Sequence, residues 1–280
     1  MNERFSAEFL QDPTRATHIT EDYEAQILTL FEQFKGQLTR DFEHADRQSP
    51  TFLQDFYARL DRLIQDSLTD PARKVIEKQV PRAYQQGLRF ADLNINQLAV
   101  HRQESVLDRR VGLLIYTHIS AFRGITDETS KHIRTIIADG ILSDAKFGDV
   151  SREIVRQVDD VGIVRASTMV RTETMRAVNT GAADRYEARG FEELERLEAS
   201  DELTCTDWPF EVGDRTYHGC VEINGEVFTL EEAREIDAQT HPNCRGTWVP
   251  AVTRKEKAAI VREMEEDIKD IQVRTRMGGD

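Results

Sequence analysis

The chain carries three cysteines, Cys205, Cys220 and Cys244, and all fall within forty residues of one another. His218 and His241 share that stretch, and the run His241-Pro242-Asn243-Cys244 presents two soft donors three positions apart around a proline-asparagine corner. An odd number of cysteines argues against a disulfide framework. Cys205, Cys220, His241 and Cys244 together make the Cys3His set that tetrahedral zinc accepts, and the corner resembles a knuckle offering two ligands to one ion. A zinc ion held this way would be structural. The fourteen residues between Cys205 and Cys220 are far more than the two to four usual between paired ligands, so a second reading stands beside the first. In that reading the thiols are compact buried hydrophobes and His241 caps a turn. A catalytic ion would need an open position and a general base. Glu222 and Glu226 lie near in sequence, but no HExxH helix motif occurs.

Other chemistry has less support. The sequence holds no GxxxxGK[ST] phosphate loop, no GxGxxG and no GxSxG elbow. His18, His44, His101, His118 and His132 are scattered singly over helical stretches and suggest no shared role. A formal charge of −14 repels duplex DNA over the mean surface, which leaves DNA contact to local arginine clusters. Arginines far outnumber lysines and carboxylates outnumber cations 51 to 37, a composition expected either of a halophilic protein working in concentrated salt or of a GC-rich genome. The most apolar run, Val111 to Phe122, is too short to cross a bilayer, and the first fifteen residues lack the apolar core of a secretory signal. The expectation is a soluble protein made without export and without membrane association.

The elements that must position these donors follow from periodicity. Residues 1–20 read as an arm, with Phe5 and Phe9 in polar surroundings. From Tyr23, apolar residues at Ile27, Leu30, Phe31, Phe34, Leu38 and Phe42 mark one helical face. A second stripe runs from Phe52 through Leu68 and on to Ile76, with Pro81 expected to kink or interrupt it. Further helices are expected over 83–100, 113–122, 127–142, 149–161 and 163–189, Thr126 capping one and Gly190 stopping the last. After Gly190 the texture turns β-rich, with a tight Asn224-Gly225 turn expected to join two strands. Residues 253–280 return to helix, with Ile260, Met264, Ile268 and Ile271 on one stripe. The fold class is therefore α+β and predominantly α-helical: a helical N-terminal region, a small β-rich subdomain with a zinc knuckle, and a C-terminal helix.

The order of features from Arg165 to Pro250 resembles the phage head morphogenesis family, the Mu F-like minor head proteins associated with the portal. The helical part of the pattern is matched by Arg171, Thr172, Glu173, Asn179, Gly181, Tyr186 and Gly190. The β-rich part is matched by Asp201, Thr204, Cys205, Cys220, Asn224, Gly225 and Phe228, and the close by His241, Pro242, Asn243, Cys244 and Arg245. Two departures stand out: the usual close cysteine pair is spread by an insertion, and the last cysteine of the pattern is Gly246. The resemblance divides the chain into an arm (1–20), a helical region (21–124), a head-morphogenesis-like domain (125–252, β-rich over 191–252) and a tail (253–280). It implies a virion component of a tailed virus, present in multiple copies in the capsid interior at the portal vertex and acting in head assembly or genome packaging and delivery. Its partners would be the portal protein, the major capsid protein and, through local arginines, packaged DNA. A zinc-dependent hydrolase or nuclease carried in the virion is the alternative. Arg171 and Glu173, two positions apart on one helix, point to different faces and are expected to hold different neighbours in a structural role that locks the helix onto the β-rich part, the alternative being an acid and a base of an active site.

Overall fold

A computed structural model describes residues 14–45, 49–95, 107–143, 145–199 and 204–251. The tail stripe at 260–271, the phenylalanines of the arm and Asp201 lie outside the described residues.

Helix α1 (Thr17–Glu43) begins inside the stretch read as an arm, because Ala16 and Ile19 are already buried and extend the stripe Tyr23, Ile27, Phe31, Phe34, Leu38, Phe42 by one turn. Helix α2 (Phe52–Ile64) passes through a π-helical turn, Gln65–Thr69, into α3 (Asp70–Ile95). Pro81 sits within α3 without ending it. The lost backbone bond costs about 3 kcal/mol, which is offset because Val80, Ala83, Tyr84, Gly87 and Phe90 on either side are buried.

Helix α4 (Leu107–Leu142) runs unbroken through Thr126, whose hydroxyl bonds back to the Arg123 carbonyl at 2.9 Å instead of capping a new start. The boundary expected at 124/125 thus falls in mid-helix. Phe122 and Ile125 join the same apolar core as Phe31 and Val170, so the helical part has one interior. Helix α5 (Phe147–Gln157) leads through a second π-helical stretch, Val158–Ile163, into α6 (Val164–Ala188). Among the described residues no helix is long and apolar enough to cross a membrane.

Helices α3 and α6 form the centre, and two glycines set how closely they cross. A Cβ at Gly87 would strike the Val178 carbonyl, and one at Gly181 would strike the Tyr84 carbonyl. Each helix therefore lays its bare backbone against the other, which only glycine permits. Gly190, at φ +80°, ends the α6 segment as its position predicts.

The β-rich part has a three-stranded antiparallel sheet in the order β4-β1-β5, from β1 (Glu193–Leu197), β4 (Val227–Thr229) and β5 (Thr247–Pro250). A separate hairpin joins β2 (Phe210–Val212) to β3 (Arg215–Tyr217) through Gly213 at φ +56°. The expected hairpin at Asn224-Gly225 is thereby corrected. That turn connects a single helical turn, α7 (Cys220–Ile223), to β4, because Cys220 and Ile223 both bury on one side of it. Helix α8 (Leu230–Gln239), which the β-rich reading overlooked, is started by a capping box in which Thr229 and Glu232 bond each other's backbone N–H. Trp248, Phe228, Leu194 and Ile236 pack with Phe90, Ala182 and Tyr186, seating the subdomain on the ends of α3 and α6.

Candidate metal centre

The corner at 241–244 is a tight turn closed by the Cys244 N–H to the His241 carbonyl at 3.2 Å, with Asn243 in the left-handed region at φ 64°. Asparagine tolerates that conformation far better than a branched residue would. The turn is fastened to the bundle by Asn243, whose N–H donates to the Thr172 hydroxyl at 3.0 Å. Cys220 opens α7 and Cys205 lies in the loop before β2, and the Cys220 N–H donates to the Cys205 sulfur at 3.2 Å.

These placements bring the expected donors together. Cys205, Cys220 and His241 each offer a donor atom within 4.8 Å of the others. Glu198, Cys220 and Cys244 do the same, so the two sets share Cys220 and the five residues lie close enough to hold a metal ion. The sulfurs of Cys220 and Cys244 are 3.9 Å apart; two thiolates bound at ~2.3 Å to a tetrahedral ion would be about 3.8 Å apart. His241 is prepared for such a role as well. Its Nδ1 contacts the Pro242 carbonyl at 2.8 Å, while the buried Nε2 has no hydrogen-bond partner. A metal-binding imidazole shows this division, with one nitrogen anchored by a carbonyl and the other left for the ion.

Sequence reasoning missed the charged half of the cluster. Arg196, wholly buried on β1, donates from Nε to Glu198 Oε1 at 2.6 Å, from Nη1 to Asp237 Oδ1 at 3.1 Å and from Nη2 to the Cys244 sulfur at 3.3 Å. Its guanidinium also lies over the Trp248 ring at 4.7 Å. Asp237, on α8, takes the Trp248 indole N–H at 3.0 Å and the Asn179 amide at 3.2 Å. Burial raises the Glu198 carboxyl to about 7 against the pull of Arg196. Burial likewise raises Asp237. The hydrogen bond from Cys220, aided by Arg196, holds Cys244 well below the ordinary thiol range. One buried cation thus faces two carboxylates and an acidic thiol, and a divalent cation bound beside them would favour their ionised forms.

A signal existed for one of the missed residues. Strand alternation puts Leu194 and Arg196 of β1 on one face, so an inward Leu194 implies an inward Arg196, whereas Glu198 lies past the end of the strand and beyond the reach of that rule.

The motif residues on α6 divide between two interfaces. Arg171 pairs with Glu24 at 3.0 Å, and Glu173 pairs with Arg176 at 2.7 Å and approaches His118 Nε2 at 3.4 Å. As expected they hold different neighbours, but apart from the Arg176 pair on α6 itself those neighbours are helices α1 and α4, not the β-rich part. The junction with the β-rich part is made by Asn179, which donates to the Gly246 carbonyl and accepts from the Thr247 hydroxyl, both at 3.0 Å. Comparison with models of known families, with curated proteins and with solved structures finds no match to this chain.

Proposed function

We propose that this chain is a minor head protein of a tailed virus that docks at the portal vertex inside the capsid, in multiple copies, and works by binding in head assembly or genome packaging and delivery. The observation that carries this reading is that head-morphogenesis pattern residues on α6 meet the chain segment at and directly after the close of the pattern, Asn243 itself being a member of it. Thr172, Asn179 and Tyr186 on α6 bond to Asn243, to Gly246 and Thr247, and to the Trp248 carbonyl, respectively. Gly181, from the same pattern, makes the close crossing with α3. Pattern residues of the helix that converge on the segment closing the pattern support a shared structural unit over a chance run of short motifs.

The cluster's ion is zinc on this reading, and its role is structural. The chemistry of the donors supports that choice, since thiolates with an imidazole suit zinc better than the oxygen-seeking cations. Cys205, Cys220, His241 and Cys244 would fill a tetrahedral shell with protein donors. One feature favours the alternative, a metal-dependent hydrolase: a carboxyl raised to about 7 beside the donors has the poise of a general base. Against it, Glu198 is buried and already bonded to a buried arginine, which leaves little room for a substrate.

Two measurements test the proposal. Purified particles should contain the chain at the portal vertex, cross-linked to portal protein; particles assembled normally without it would overturn the assembly role. Protein prepared without chelator should carry one zinc per chain, and metal-free, fully folded protein would remove the zinc.

A further inference from the structure

Five donors surround a site where a tetrahedral ion needs four, and the two three-donor sets overlap only at Cys220. We propose that Glu198 is itself a metal ligand, which takes the place of Cys205 when that thiol is withdrawn. This rests on the reading of the cluster as a metal centre.

The two candidates for the exchangeable position differ in their surroundings. Cys205 is half-buried on a loop, where its sulfur accepts from the Cys220 N–H at 3.2 Å and its carbonyl from the Val221 N–H at 3.3 Å. Glu198 is buried directly after β1, its backbone N–H fixed to the Asn224 side chain at 3.1 Å and its Oε1 held by Arg196. A carboxylate has two oxygens, so the bond to Arg196 is compatible with donation to a cation. Arg196 is the positioning residue, because the same guanidinium holds both the Glu198 carboxylate and the Cys244 sulfur. Gly246 completes the arrangement: a Cβ there would collide with Arg196 Nη2 and Glu198 Oε1, so glycine at this position makes space for the arginine and the carboxylate.

Cobalt(II) reports the ligand set directly, because thiolate-to-metal charge transfer scales with the number of sulfurs bound. The full-length chain and the variants C205S, E198Q, C205S/E198Q, C205S/E198D and C220S are loaded with cobalt, and bound metal and near-ultraviolet and visible absorption are measured. Circular dichroism confirms that each variant is folded. C205S should keep one ion with the charge-transfer band reduced by about a third and affinity lowered roughly 10- to 100-fold, the range seen when a site's support is weakened but not removed. E198Q alone should keep the full band. C205S/E198Q should lose the ion, and so should C205S/E198D, in which the charge facing Arg196 is preserved but the oxygen is drawn back by one methylene. C220S, lacking the shared sulfur, should lose it too. A folded C205S that binds no cobalt, or a C205S/E198Q that binds as C205S does, would overturn the assignment of Glu198 while leaving the metal centre standing. A parent chain that binds neither cobalt nor zinc would overturn both.

Discussion

The helical bundle and the β-rich subdomain solve the problem of holding a chain together by opposite means. The bundle buries a continuous apolar interior, from Tyr23, Ile27, Phe31 and Phe34 on α1 to Ile76 and Val80 on α3 and Ala177 and Val178 on α6. The subdomain has only short strands and gives part of its interior to Arg196, Glu198, Cys220, Cys244 and His241, with Asp237 partly buried beside them. Apolar burial is non-directional and gains with area, so it favours a large assembly of helices. A unit of some sixty residues buries proportionally less, and a compact polar cluster that converges on an ion can replace missing core. The difference teaches that the same chain should respond to metal, charge and packing changes region by region.

Metal removal should separate the two regions most. Structural zinc sites contribute apparent free energies of about 10–16 kcal/mol at neutral pH, and that binding energy becomes folding energy. With chelator, amide exchange should accelerate over 204–251 while α1, α3 and α6 stay protected. Equal acceleration in both regions, or none in either, would break the comparison.

Arg196→Met is the next largest test. It leaves Glu198 and Asp237 buried without their cation, a change that typically costs about 3–5 kcal/mol. The loss should appear as a lower unfolding midpoint for the subdomain, with the bundle midpoint unmoved. Gly181→Ala should act on both regions at once. Its Cβ would meet the Tyr84 carbonyl, so α3 and α6 must part, with an overpacking cost of about 1–3 kcal/mol. Because Gly181 adjoins Ala182, which packs with the subdomain, both midpoints should fall together. A fall in only one would show that the close crossing does not couple them.

The smallest expected effect lies at the polar spot of the bundle. His118 is fully buried, parallel to the Tyr23 ring at 6.4 Å between centroids and 3.4 Å from Glu173. Burial, reinforced by Arg176, lowers it to about 3. The unfolded chain therefore takes up a proton near pH 6.5 that the folded chain refuses, so the His118 contribution is intact above pH ~6.5 and drains as pH falls toward 3, at no more than about 1.4 kcal/mol per unit. Burial raises Glu173, whose protonation in the folded state works the other way and offsets part of the loss. Urea midpoints from pH 7.5 to 4.5 should fall less steeply for His118→Gln than for the parent. Identical slopes would place the acid sensitivity elsewhere.

Much of the bundle was legible because a helix repeats its contacts every turn. The stripe from Tyr23 to Phe42 and the stop at Gly190 need only local spacing to be read. The four soft donors could likewise be named from residue type alone. Glu198 could not, since one carboxylate in the run Glu192, Glu193, Glu195, Glu198 looks like the next until the fold shows which of them is inward. The same holds for Pro81, whose local preference to break a helix was overruled by burial on both sides of it.

What the sequence determined by itself was periodic or chemical: amphipathic stripes, glycine stops, an acidic surface, and thiols and imidazole in one short stretch. Tertiary structure alone decided which chain segments touch. It placed Asn179 on Gly246 and Thr247, Gly181 on Tyr84, and Arg196 between Glu198, Asp237 and Cys244. The physical reason is that periodicity reports the average side of a helix or strand that faces inward, whereas a buried charge survives only where specific partners from other segments meet it, and those meetings have no local signature.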